Sequence, residues 1–395
     1  MPAEHTKNKL VAARWIYDPK IRGIVFQAVA VASVAWLLFY FIGNALHNME
    51  TRGIATGFDF LNNRASFGIS QTLISYSEDD TYGRAFLIGL LNTLLVSVLG
   101  IVLATILGFL IGIARLSKNW LLSRLAAVYI ETFRNIPLLL QVFFWYFCVL
   151  RNLPGPRQSL SLADMFFLNV RGLYIPSPVT EPGFWVVGAA FVLALAACGL
   201  LARWAKRRQY RTGQPFPIFS GCLGLLIALP LLAYWLGGMP LHWEYPALQG
   251  FNFRGGFTII PELFSLVVAL TIFTAASIAE IVRSGILAVS KGQVEAAGAL
   301  GLRGGLILRL VVIPQAMRVI IPPLTSQFLN LVKNSSLATA VGYPDLVSVF
   351  MGSTLNQTGQ AVEIISMTML VYLTISLVTS ALMNIYNAKK ALVER

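Results

Sequence analysis

Charge is scarce in this chain: Asp, Glu, Lys and Arg make up 12% of its 395 residues, against 56% hydrophobic ones. A soluble globular domain carries about a quarter charged residues, so much of this chain must meet lipid. Cysteine is rarer still. Cys148, Cys198 and Cys222 all sit in apolar runs with no CxxC or Cys/His spacing, which excludes a thiolate metal site and leaves them as small apolar fillers. The three histidines, His5, His47 and His242, stand far apart and form no HExxH pattern. No lysine follows a glycine, so there is no Gly-x-x-x-x-Gly-Lys-Ser/Thr loop to cradle a nucleotide phosphate. The Gly-x-Ser-x-Gly elbow of a serine hydrolase is missing as well. By itself the chain does not read as an enzyme.

What the chain has in abundance is long apolar runs. A helix needs about 20 apolar residues to cross the hydrocarbon core, and eight stretches qualify, near 22–42, 86–113, 134–151, 183–202, 217–237, 259–282, 319–338 and 363–385. These predict an all-α integral membrane protein of about eight transmembrane helices. The stretches 154–182 and 237–256 are rich in Pro and Gly and read as loops. The first run is longer than the apolar part of a secretory signal, so it reads as a retained anchor helix.

The formal net charge of +13 is unevenly spread. Alternate connections hold twenty-one cations: Lys7, Lys9, Arg14, Lys20 and Arg22; Arg115, Lys118 and Arg124; Arg203, Lys206, Arg207, Arg208 and Arg211; Arg283, Lys291, Arg303, Arg309 and Arg318; Lys389, Lys390 and Arg395. The other side holds seven, Arg52, Arg64, Arg84, Arg151, Arg157, Arg171 and Arg254, and most of the acids, Asp345 and Glu363 among them. Positive charge collects on the cytoplasmic side of a membrane, which predicts that both termini are cytoplasmic. The excess is thus a topology signal and argues against nucleic acid as a partner.

The connection between the sixth and seventh runs carries the most specific pattern. It reads Lys291-Gly-Gln293-Val-Glu295-Ala296-Ala297-Gly298-Ala-Leu300-Gly301-Leu-Arg303 and closes on Val311-Val-Ile313-Pro314. Val294, Ala297, Gly298 and Gly301 fall at i, i+3, i+4 and i+7, one face of a helix. A face of small residues lets another surface approach closely, and Glu295 in the first turn suits the helix dipole. A plain interfacial helix fits the same residues equally well.

The spacing Glu-Ala-Ala, three residues, Gly, nine residues, apolar-x-apolar-Pro resembles the EAA loop of ABC importer permeases. Four further stretches resemble the polar amino-acid permeases: Gly89-Leu-Leu-Asn92-Thr93-Leu94; Glu131-Thr-Phe-Arg134-Asn-Ile-Pro137-Leu-Leu-Leu-Gln141; Ala279-Glu280-Ile-Val-Arg283-Ser-Gly285-Ile286; and Lys333-Asn334-Ser335-Ser336-Leu337. The chain length is similar to that of the general L-amino-acid and glutamate/glutamine/aspartate/asparagine permeases. The resemblance implies a type I ABC importer permease fold in a bacterial inner membrane. It implies that Gln293, Glu295, Ala296, Ala297, Gly298, Leu300, Gly301 and Pro314 couple to a separate ATPase. Two copies of that ATPase would carry ATP and Mg, so no cofactor is expected on this chain. A second, related permease subunit and a periplasmic amino-acid-binding protein complete the implied partners. The family core covers 84–150 and 257–395, with the coupling loop at 285–315. Residues 1–83 form a tail, anchor and outer loop, and 151–256 form an insertion with two extra spans.

Polar groups at membrane depth are costly unless they are paired or wet. Asn92, Arg134, Glu280, Gln327, Asn330, Lys333, Asn334 and Ser335 are therefore candidates for a solute pathway, with helix-to-helix hydrogen bonding as the plainer alternative. Glu131 and Arg134 are spaced to pair along a helix. Pro322-Pro323 is expected to interrupt the seventh span, because proline frees the carbonyls of Arg318 and Val319. An ion-gradient-driven secondary transporter would share broken helices and buried charge, but it gives no reason for the EAA-type loop.

Overall fold

The computed structural model describes residues 19–51, 53 and 56–390. Of the counted charges, Lys7, Lys9, Arg14, Arg52 and Arg395 lie outside the described residues, as does His5. Seven described helices are long and apolar enough to cross a membrane, and a bent helix pair makes an eighth.

Helix α1, Pro19–Thr51, stands apart from the bundle and is exposed along its apolar length. Helix α2, Tyr82–Arg115, starts where the Thr81 hydroxyl accepts from the Arg84 amide at 3.3 Å, an N-cap that satisfies one free donor of the first turn. Helix α3, Trp120–Asn135, is capped likewise by Asn119 on the Leu122 amide at 3.2 Å.

The third expected span is not straight. After Asn135 the chain turns by 105° and resumes as α4, Leu138–Phe143, which runs on through a π-helical and a 3-10 turn to Asn152. Pro137 has no amide to donate and forces Ile136 into an extended conformation. The freed carbonyls are not left bare: the Gln141 amide donates to the Phe133 and Ile136 oxygens, both at 3.0 Å. A break at membrane depth is tolerated where such partners exist.

Helices α5, Trp185–Thr212, and α6, Ile218–Leu236, form a hairpin that packs mainly on itself. The expected loops on either side of it contain strands. They are β1 to β4, at Leu160–Leu162, Phe166–Asn169, Gly172–Ile175 and Ser177–Thr180, and β5 to β8, at Leu241–Glu244, Ala247–Gln249, Asn252–Arg254 and Phe257–Ile259. Strand order β1-β2-β3-β8 is antiparallel throughout, with Leu173 opposite Ile259. This pairing ties the two ends of the insertion together. Phe167 and Tyr174 pack on Phe253 with ring centroids 4.6 and 4.9 Å away. The spans are helical, as expected, while the connections on either side of the α5–α6 hairpin form small antiparallel sheets.

Helix α7, Pro261–Leu287, opens with Pro261 in its first turn and Glu262 beside it, both suited to a helix N-terminus. It packs along α2, whose Gly100, Ala104, Gly108 and Gly112 recur every fourth residue and present a small face. A Cβ at Gly108 would lie 2.6 Å from the Ile278 Cβ, so the absence of a side chain sets the approach of the two helices.

Beyond α7 come the short helix α8, Lys291–Ala299, then α9, Gly304–Ile307, a π-helical turn at Leu308–Val312, and α10, Ile313–Asn334. Helix α10 does not break at Pro322-Pro323. Both prolines are exposed, while Ile320, Ile321 and Leu324 beside them are buried, and packing against α7 and α12 holds the backbone helical. A 3-10 turn, Ser335–Val341, follows α10. A π-helical stretch, Val347–Thr354, and α11, Leu355–Thr358, lead to α12, Ala361–Lys390.

Candidate functional site

Two features on the α7-to-α12 half answer to the expected sites: the α8 knob at one end of the bundle and a polar face on α10. Helix α8 ends where Leu300 donates to the Ala296 carbonyl and Gly301 takes φ +76°. That left-handed conformation suits glycine and strains any residue with a Cβ. Only three residues after Gly301 the chain is helical again, so α8 is joined to α10 through α9 without a slack loop. The Gln315 amide also donates to the Gln293 Oε1 at 3.2 Å, a direct strut from α10 to α8.

Of the small face expected to dock a partner, Val294, Gly298 and Gly301 are exposed and Ala297 is not. Ala297 is buried inside the chain, and Gly301 lies past the helix as its stop. Every residue of α8 other than Ala297 is exposed, Val294 and Glu295 included, and Leu300 beyond it is 81% exposed. Ala297 thus anchors the knob, and the surface left free carries both Val294 with Gly298 and Glu295. Pro314 is exposed in the first turn of α10.

Along α10, Pro322, Pro323, Ser326, Asn330 and Lys333 are exposed at spacings of one, three, four and three residues, which puts them on one face. Gln327 and Asn334 flank it, half-buried. Beside this face a groove of about 340 Å³ opens between α10 and α12, lined by Lys333, Ser336, Val347, Met351, Thr368, Met369 and Tyr372.

The remaining expected pathway residues do not join this face. Asn92 is fully buried, and its amide donates to the Gln71 and Pro344 carbonyls, each at 2.9 Å, so it fastens two segments and lines nothing. Ser335 is buried too and donates to the Val332 carbonyl at 2.7 Å. Glu280 belongs to another group, held by Arg283 in a two-pronged pair at 2.6 and 2.9 Å. Arg134 acts on Glu280 only at longer range. The expected pair of Glu131 with Arg134 does not form.

The family model for the binding-protein-dependent transport system inner membrane component matches residues 195–391. YhdX of Escherichia coli (strain K12), named for an amino-acid ABC transporter permease, is 56% identical over 99% of this chain and 100% of its own length. The general L-amino acid transport system permease protein AapQ of Rhizobium johnstonii is 52% identical over 96% of this chain and 95% of its own. The glutamate/glutamine/aspartate/asparagine transport system permease protein BztB of Rhodobacter capsulatus is 44% identical over 96% of each. This chain belongs to the amino-acid ABC transporter permeases.

Two residues of this permease carry more than their sequence context suggested. Asp345 counts among the outer acids by position, yet it is fully buried where Gly342-Tyr343-Pro344 interrupts the helices. Its carboxylate accepts from the Ser348 amide at 2.9 Å, the Tyr372 hydroxyl at 3.3 Å and the Thr339 hydroxyl at 3.4 Å. Next to it the Leu346 amide donates to Thr93 at 3.0 Å, which pins the unwound segment to α2. The Gly-x-Pro-Asp turn was the available signal. Gln141 is the second: its place four residues after Pro137 is what lets it reach the freed carbonyls. Glu363, another expected outer acid, is nearly buried and accepts from the Gly57 amide at 2.8 Å.

Proposed function

We propose that the permease couples through α8 to a separate ATPase that binds ATP and Mg, and passes amino acids along the exposed face of α10. In this reading the partner ATPase sits in two copies beneath a pair of permeases, this chain and a related second one, with a periplasmic amino-acid-binding protein above. Both termini and α8 lie on the cytoplasmic side.

The carrying observation is the exposed polar face Pro322, Pro323, Ser326, Asn330 and Lys333. An ammonium and an amide at membrane depth are stable only against protein or water. Facing a second permease across a wet pathway supplies both. The route from motor to pathway is short: a pull on Glu295 or Leu300 is passed through α9 and the Gln293–Gln315 contact to the helix that carries this face. Nucleotide shifts the equilibrium between inward-open and outward-open bundles only by binding one state better, and a stiff connection makes the knob sense that difference.

Uptake by membrane vesicles tests the reading. Amino-acid accumulation is expected to need ATP and the partner subunits and to survive collapse of the ion gradients. Accumulation that follows an ion gradient without ATP overturns it.

A further inference from the structure

We propose that the α5–α6 hairpin of the insertion carries a binding surface for anionic phospholipid headgroups at the end where α5 passes into α6. Helix α5 has 28 residues, which at 1.5 Å each is about 42 Å, longer than the roughly 30 Å hydrocarbon core. Residues 185–202 hold no charge and fill that core, so the final turns stand in the headgroup layer. Arg203, Lys206, Arg207, Tyr210 and Arg211 fall there at i, i+3, i+4, i+7 and i+8, one continuous helix face, and all five are exposed.

Like charges at these spacings repel along a helix, and the chain provides nothing to offset them. No acidic residue occurs between Glu181 and Glu244, both of which lie at the opposite end of the hairpin. The helix packed against α5 has no charged residue at all. Among the described residues, none of the four cations on this face has a carboxylate within 4 Å. The fifth, Arg208, is occupied locally: its guanidinium lies 5.5 Å from the Trp204 ring and donates to Gln214 at 3.4 Å.

A row of lipid phosphates meets the stripe at its own depth and supplies the missing anions. The rings agree with that depth. Tyr210 is 90% exposed and Phe219, at the start of α6, 81%, and aromatic side chains of this kind settle at the boundary between hydrocarbon and headgroups. Within this chain the hairpin packs mainly on itself, which leaves the stripe open to the headgroup layer.

The test extracts the full-length chain with its partner subunits in mild detergent and counts bound lipid by native mass spectrometry during titration with phosphatidylglycerol or phosphatidylcholine. The unaltered protein should retain phosphatidylglycerol over phosphatidylcholine by about fivefold or more. The variant Arg203→Gln/Lys206→Gln/Arg207→Gln/Arg211→Gln should lose the preference, and Arg203→Lys/Arg207→Lys/Arg211→Lys should keep it. Raising salt on the unaltered protein to about 1 M, where screening falls to a few ångströms, should release the lipid even if the glutamine variant does not fold. No preference in the unaltered protein, preference kept by the glutamine variant, or retention at high salt overturns the proposal. Loss of the partner ATPase from the glutamine variant with lipid binding intact reassigns the stripe to a protein contact.

Discussion

At the scale of single residues, the polar groups of this permease divide into those that fasten the bundle and those left exposed on α10. Gln141 and Asp345 fasten. Replacing Gln141 by Leu strands the Phe133 and Ile136 carbonyls at the 105° bend, and each uncompensated buried group costs about 1–3 kcal/mol. The thermal unfolding midpoint of the detergent-solubilised protein should fall clearly, and that of Gln141→Glu, which sets a carboxyl group against two carbonyl oxygens, should fall as well. An unchanged midpoint in the leucine variant removes the capping role. Asp345→Ala similarly deprives Ser348, Thr339 and Tyr372 of their acceptor. Its expected signature is lost stability with the inserted topology retained. The sequence placed Asn92 with the solute-facing group because an amide in an apolar run needs a partner. It is the folding of Gln71 and Pro344 onto it, from far along the chain, that made those partners backbone carbonyls.

At the scale of elements, α8 and the α2–α7 pair make separate demands on glycine. Gly301 takes φ +76° to end α8, so Gly301→Asp strains that stop, by about 1–2 kcal/mol in the usual case, and tilts the knob that carries Glu295. Copurification of the ATPase should drop while membrane insertion is kept; full recovery of the ATPase counts against a coupling role for this turn. Gly108→Ala places a methyl 2.6 Å from both Cβ and Cγ2 of Ile278. Overpacking of this type costs about 1–3 kcal/mol, and a second change, Ile278→Ala, should restore part of the loss by removing one of the two clashing atoms. A double variant no better than the single one would place the strain elsewhere. The EAA spacing made α8 legible as an element. Which of its faces is free was not, because periodicity groups residues by face without saying which face the next helix covers.

For the whole molecule, the testable quantity is sidedness. In oriented vesicles a cysteine at Gly298 should react with an impermeant thiol reagent from the cytoplasmic side alone, and a cysteine at Leu162, exposed on the strand layer at the other end of the bundle, from the outside alone. The reverse pattern would separate α8 from any cytoplasmic motor. All eight spans were readable as apolar runs, the bent third one included, since lipid rewards such a run wherever it occurs. The bend at Pro137 and the continuity of α10 through Pro322-Pro323 were not, because a proline removes a hydrogen bond in either case and the surrounding helices decide whether the backbone turns or holds. The closure of the insertion escaped for a related reason: β3 pairs with β8, and β4 with β5, across the whole α5–α6 hairpin, and pairing at that distance leaves no local mark. Composition and run length thus determined by themselves that this is a multi-pass membrane protein, because transfer into lipid is settled residue by residue, and the motif spacing carried the resemblance to the permeases. Which polar groups are spent on packing and which stay exposed was decided only by tertiary structure, because a buried hydrogen bond depends on what the distant chain brings to meet it.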